Sequence, residues 1–197
     1  HRRQIRRVFS APVANSYGTT ETGYVLMQCE EGKFHQNSEF CRIDFQPLRL
    51  EHGGPWLGRI LVTTFNNPWY SILRFDVGDL VRIEASGRCT CGRDSGMIFA
   101  AIEGRIASVT LTTAGRLVSQ RELDDVICRV DDIEEYFLEQ ISPDSYNLHI
   151  HVPRGTHNRR RLQQEASAAL IGLYGREAKV KVFFDDVIRP EISGKYC

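Results

Sequence analysis

The apolar positions change their spacing partway along the chain. Between residues 13 and 103 they fall in short runs broken by turn-forming clusters. Tyr24–Gln28, Arg42–Leu48, Gly58–Thr64 and Leu80–Glu84 read as strands, divided by turns such as His52-Gly53-Gly54-Pro55 and Asn66-Asn67-Pro68. From Gly104 the pattern mixes periods. Ile106–Thr112 predicts a strand and Leu117–Val118 a short second one after Gly115. Ser119-Gln120-Arg121-Glu122 has the form of a capping box, opening a helix through Ile127 with Leu123, Val126 and Ile127 on its apolar side. Ile133–Ile141 and the alternating Tyr146, Leu148, Ile150 and Val152 predict two strands around the turn Ser142-Pro143-Asp144. Asn158–Tyr174 is amphipathic, with Leu162, Ala166, Ala169, Leu170 and Leu173 on one side and Gly175 placed to end it. Lys179–Phe184 is a last strand. The expectation is an α+β protein: a β-rich region over 1–103, then a small α+β module of βαββαβ-like order over 104–197, helices on one face of a sheet.

Composition narrows the function classes. The 197 residues carry a net charge of +0 and are 42% hydrophobic, as in an ordinary globular protein. Zero net charge argues against nucleic-acid or membrane-surface binding driven by bulk electrostatics. The basic opening, His1-Arg2-Arg3-Gln4-Ile5-Arg6-Arg7, reads as the exposed face of a helix whose Ile5, Val8 and Phe9 pack inward. With no run of 18 apolar residues and no basic segment leading into an apolar stretch, the expectation is a cytoplasmic protein without a membrane span or secretory signal. The chain opens without methionine in what reads as mid-helix, so residue 1 is expected to be a truncation point.

The cysteines are six, too few for a disulfide scaffold at this length. Cys89 and Cys91 stand one residue apart, and Cys29 and His35 flank a distant β-turn. Three thiolates and an imidazole would make a tetrahedral Cys₃His zinc site; uncoordinated reduced thiols are the alternative. Cys41 and Cys128 lie in apolar patterns and are expected in the core. His149 and His151 share a strand face, expected to be exposed and polar rather than a ligand pair.

Three strings carry a resemblance when taken together: Tyr17-Gly18-Thr19-Thr20-Glu21, Arg74-Phe75-Asp76-Val77-Gly78-Asp79-Leu80, and Arg189-Pro190-Glu191-Ile192-Ser193-Gly194-Lys195. In this order and separation the chain resembles the C-terminal part of adenylate-forming, AMP-binding enzymes of the phenylacetate–CoA ligase-like family. In that branch Cys-x-Cys-Gly-Arg also recurs, here Cys89 to Arg93. The resemblance implies that 1–103 is the β-rich tail of the large AMP-binding domain and 104–197 a mobile lid. It implies activation of a small-molecule carboxylic acid with ATP and Mg²⁺ as an acyl-adenylate, then thioester transfer to CoA. Tyr17 would pack on adenine, with Gly18 and Thr19 beside it among the nucleotide-binding residues. Thr20 would reach the α-phosphate, Glu21 would help hold magnesium, and Asp79 would accept from the ribose hydroxyls. Arg74 matches a frequent family arginine. Arg105, after Gly104, matches a hinge arginine that approaches the nucleotide, although no acidic residue follows it. Gly115 corresponds to a glycine near the pantetheine tunnel, in a local sequence lacking the usual Arg-Gly. Lys195 would bridge the substrate carboxylate and the α-phosphate during adenylation. The family's Ser/Thr/Gly-rich phosphate loop does not occur, so the chain alone is expected to be a poor catalyst or none. Two alternatives stay open: an adenylating enzyme that hands the acyl group to a carrier protein or an amine, and a non-catalytic zinc-stabilised interaction module. A homodimer is compatible with either.

Overall fold

The computed structural model describes residues 2–65, 68, 71–153 and 158–188. They divide into two units, one within 1–50 and 54–103, the other comprising 51–53 and the described residues from 104 onward.

The first unit opens with α1 (Arg2–Phe9). Its apolar residues do not pack inward as expected: Ile5, Val8 and Phe9 are all exposed. Seven strands follow: β1 (Ser16–Thr19), β2 (Gly23–Gln28), β3 (Phe34–Gln36), β4 (Cys41–Pro47), β5 (Leu57–Thr64), β6 (Phe75–Ile83) and β7 (Ile98–Arg105). They form one sheet in the order β1-β2-β3-β7-β6-β5-β4. Three differences from the sequence reading stand out. Strand β7 was not foreseen, since Ile98, Phe99 and Ala101 are all buried and leave no alternation to detect. Strand β6 starts at Phe75 rather than Leu80, which puts Asp79 inside the strand and not at its mouth. The stretch through Gly104 and Arg105 continues β7.

The sheet curls on itself. Val25 and Leu26 of β2 share one buried cluster with Cys41 and Ile43 of β4, although these strands lie far apart in the sheet order. The Val25 carbonyl accepts from Asn37 N at 2.9 Å and from Cys41 Sγ at 3.9 Å, tying the two ends together. Cys41 is fully buried as expected, and burial pushes its thiol up to about 11.

In the second unit Ile106–Ser108 forms a 3₁₀ turn where a strand was expected, leaving only a short β8 (Thr110–Leu111) paired with β9 (Leu117–Val118). Then come α2 (Gln120–Ile127), β10 (Glu135–Ser142), β11 (Ser145–His151), α3 (Arg159–Tyr174) and β12 (Lys179–Phe184). The capping box is present in full: Ser119 Oγ accepts from Glu122 N at 3.2 Å, and Glu122 Oε2 accepts from Ser119 N at 3.1 Å. The sheet β10-β11-β12 is mixed, antiparallel between β10 and β11 and parallel between β11 and β12 across α3. Parallel neighbours need such a crossover. Tyr146, Leu148 and Ile150 face Leu123 and Ile127 of α2 and Leu162, Ala166 and Leu170 of α3 in a second core. The β8–β9 hairpin is latched to this layer: Tyr146 Oη donates to Leu111 O at 2.6 Å, and Tyr174 Oη lies 2.6 Å from Thr110 Oγ1. Cys128, expected in the core, is exposed at the end of α2, because Leu123 and Ile127 occupy the buried side. The other sheet face is not simply polar. His149 stacks on Phe183 with ring centroids 4.9 Å apart, and its Nδ1 lies 2.8 Å from Asp185 Oδ2. No described helix is long and apolar enough to cross a membrane.

Candidate functional site

Both glycine-bearing strings in the first unit are built around breaks in strand pairing. In β1–β2, Tyr17 pairs with Leu26 and Gly18 with Tyr24, so β2 carries one extra residue, Val25. Gly18 sits so close to the opposite strand that a Cβ would stand 2.1 Å from Gly23 O, an approach open only to glycine. In β5–β6, Arg59 pairs with Leu80 and Leu61 with Asp76, so Val77, Gly78 and Asp79 stand opposite Ile60 alone. Gly78 takes φ +77 there, a left-handed conformation, and its N–H is received by Asp76 Oδ1 at 3.0 Å. Such bulges re-aim side chains. Here they bring two strings together: Tyr17 Oη donates to Asp79 Oδ2 at 2.6 Å across 62 residues of sequence.

The rest of the first string forms the β1–β2 turn. Thr19 Oγ1 accepts from Thr22 N at 3.1 Å and lies 3.0 Å from Thr22 Oγ1, so this hydroxyl closes the turn. Thr20 and Glu21 are exposed at its tip. A carboxylate and a hydroxyl there offer hard oxygen donors of the kind magnesium takes. Arg74, at φ +49, is drawn elsewhere: its Nη1 donates to Asp44 Oδ2 at 2.9 Å and its N–H to Thr63 Oγ1 at 3.0 Å. Near the strand end, the buried Glu103 accepts from Arg82 Nε at 2.8 Å.

In the second unit, Arg105 is exposed at the end of β7 and Gly115 takes φ +81 in the β8–β9 turn, facing open space. A cavity of about 300 Å³ opens between α2 and β10, lined among others by Gln120, Asp124, Glu134 and Tyr136. Its lining contains none of the candidate site residues named from the sequence. Tyr136 Oη donates to Asp124, whose carboxyl is nevertheless held above the usual range by burial. Lys195, with Gly194, lies outside the described residues.

A separate cluster gathers Cys29, His35, Cys89 and Cys91, whose donor atoms all lie within 4.8 Å of one another. Cys29 and His35 are buried; Cys89 and Cys91 are half-buried. The sequence named these four residues, but only the sheet order, with β3 beside β7, brings the two pairs together.

No family model matches the sequence, and no curated protein matches it. Solved structures do. A 2-hydroxyisobutyryl-CoA ligase in the postadenylation state superposes with a TM-score of 0.71 at 16% identity, over 95% of this chain and 42% of that one. An O-succinylbenzoate coenzyme A synthetase from Bacillus subtilis in complex with AMP gives 0.62 at 16%, over 98% and 41%. The A-PCP didomain of a carboxylic acid reductase from Segniliparus rugosus in complex with AMP gives 0.68 at 12%, over 99% and 30%. The chain thus spans about two-fifths of the length of the first of these, 42%. At such identities the likeness establishes architecture alone: the described residues share the α+β fold of part of these ligase and synthetase structures.

Proposed function

We propose that the chain forms the C-terminal portion of an AMP-forming acid–CoA ligase, related to the phenylacetate–CoA ligase-like enzymes. It would comprise the tail of the large domain (1–103) and the lid (104–197). The observation that carries this reading is the Tyr17–Asp79 hydrogen bond, because it joins two of the three motif strings at paired glycine bulges. Asp79 would accept from the ribose hydroxyls and the Tyr17 ring would pack on adenine. Thr20 would contact the α-phosphate from the turn tip, with Gly18 and Thr19 holding that turn in shape. Magnesium, held in part by Glu21, would neutralise charge developing as pyrophosphate leaves. Arg74 and Arg105 are assigned to the nucleotide's surroundings and Gly115 to the approach of CoA. Lys195 would bridge the substrate carboxylate and the α-phosphate. The A-PCP didomain among the similar structures keeps a second acceptor in view, a carrier protein in place of CoA.

The test uses a longer chain that contains these residues and an upstream phosphate loop. With a panel of carboxylic acids, ATP and magnesium, it should release pyrophosphate and form acyl-AMP. Lys195→Ala should slow that step by roughly 10²–10³, while preformed acyl-AMP and CoA still yield the thioester. Equal failure in both half-reactions would assign Lys195 to folding or general binding, and unimpaired adenylation would remove it from the site.

A further inference from the structure

The connection between β6 and β7 runs over residues 84–97 without regular secondary structure, a length at which loops are uncommon unless something holds them. Several contacts tie it to the β2–β3 hairpin and to the residues just after β3. Lys33 pairs with Glu84, Arg93 Nη1 with Glu30 Oε2 at 2.7 Å, and Ser38 Oγ lies 2.7 Å from Ser95 Oγ. At the centre of these ties are Cys29 and His35 from the hairpin and Cys89 and Cys91 from the connection.

Two of their separations match those of a coordination shell, and all four donor atoms lie within 4.8 Å of one another. Cys29 Sγ and Cys89 Sγ are 3.7 Å apart, and Cys91 Sγ and His35 Nε2 are 3.4 Å apart. A tetrahedral zinc with Zn–S of about 2.3 Å and Zn–N of about 2.05 Å sets ligand separations of about 3.8 Å between sulfurs and about 3.6 Å between sulfur and nitrogen. A disulfide would need about 2.0 Å. His35 Nδ1 is buried and meets no hydrogen-bond partner among the described residues. Nε2 faces the thiols, and a metal there leaves the proton on Nδ1. Three thiolates and one imidazole are soft and borderline donors, which suit zinc and not magnesium or calcium. Three thiolates with Zn²⁺ leave one negative charge, and the Arg93 guanidinium beside Cys91 opposes it.

We propose that Cys29, His35, Cys89 and Cys91 bind a structural zinc ion. Four protein ligands close the tetrahedron, leaving no position for substrate. The ion clasps a short joint of the sheet: the β3–β7 ladder has two residue pairs, Phe34 with Phe99 and His35 with Ile98, extended by Gln36 N donating to Met97 O at 2.9 Å. On one side of that joint lies β1 with Tyr17, on the other β6 with Asp79. The clasp therefore helps to hold the two halves of the Tyr17–Asp79 contact in register. It rests on the donor geometry and stands whether or not the chain adenylates an acid.

The experiment is metal analysis of the 197-residue chain purified without chelator, followed by cobalt substitution. The expected result is one zinc per chain. Cobalt-loaded protein should show the intense visible bands of tetrahedral cobalt with thiolate charge transfer. Cys89→Ser and Cys91→Ser should lose the ion, Cys41→Ser and Cys128→Ser should keep it, and His35→Cys should retain it as a Cys₄ site. Chelation should lower the melting temperature by several degrees, since structural zinc contributes directly to folding. Metal-free protein whose melting temperature zinc does not change would overturn the proposal, as would weak, octahedral cobalt bands. If the serine variants fail to fold, the wild-type cobalt spectrum and the His35→Cys variant still decide.

Discussion

Tyr17→Phe deletes one hydroxyl and leaves the ring against the core of the seven-stranded sheet, where Tyr17 packs at the cluster's edge. The lost contact is the 2.6 Å bond to Asp79 Oδ2, within the short range of charge-assisted O–H···O⁻ bonds. Bonds to charged groups contribute about 1.5–3 kcal/mol. Both residues are half-buried, and water competes for the carboxylate, so about 1–1.5 kcal/mol is the reasonable share. Asp79→Ala removes everything the carboxylate does, and the double variant isolates the part shared with Tyr17. The chain's two tryptophans, Trp56 and Trp69, both fall in the sequence of the first unit, so their fluorescence in urea follows that unit. Linear extrapolation for the four proteins should yield a coupling energy of about 1 kcal/mol. A coupling below about 0.3 kcal/mol would mean that the two bulges do not present Tyr17 and Asp79 to each other in solution, and the nucleotide site drawn on them would go with it.

Two further outcomes follow from the same geometry. Gly18→Ala forces a Cβ to within 2.1 Å of Gly23 O, a backbone atom that cannot step aside; the β1–β2 hairpin should open, with stability falling by more than about 2 kcal/mol in urea. A Gly115→Ala control meets open space at φ +81, so only its backbone strain of about 1 kcal/mol should appear. In the second unit, burial pushes the Tyr174 hydroxyl up to about 12, the neutral form being favoured in the folded state. The sign is that of a group whose pKa is raised by folding. Its stabilisation is complete below the unfolded value near 10 and is lost as pH rises toward about 12. Tyrosinate absorbance should therefore lag in the folded protein and rise together with loss of helical signal; titration of all tyrosines before unfolding would refute this.

How much of this was legible in the sequence depends on whether a local pattern sufficed. The alternation of Tyr146, Leu148 and Ile150 was readable because one face of β11 is buried and the other is not. The capping box was readable because both partners lie within one turn. Strand β7 was hidden by burial on both faces, and α1 was misread because a polar-apolar period says nothing about whether a partner surface exists. The start of β6 was missed for a third reason. Phe75 and Asp76 are exposed, and the bulge at Val77–Asp79 breaks the two-residue period that identifies a strand.

The site obeys the same division. Residue types were legible: a tyrosine, an aspartate, three cysteines and a histidine with chemistry that needs them. Their convergence was not, because Tyr17 and Asp79 lie on strands four places apart in the sheet order and meet only where the sheet curls. Cys29 and Cys89 meet only because β3 passes over β4, β5 and β6 in sequence to pair with β7. That crossover is the least local choice the first unit makes, and its strand ladder has two residue pairs, extended by one backbone bond from Gln36 to Met97. A joint so short, between strands so far apart in sequence, closes a long loop for little backbone hydrogen bonding. Side chains must supply the rest, and four metal donors drawn from both sides of the joint are placed to do so.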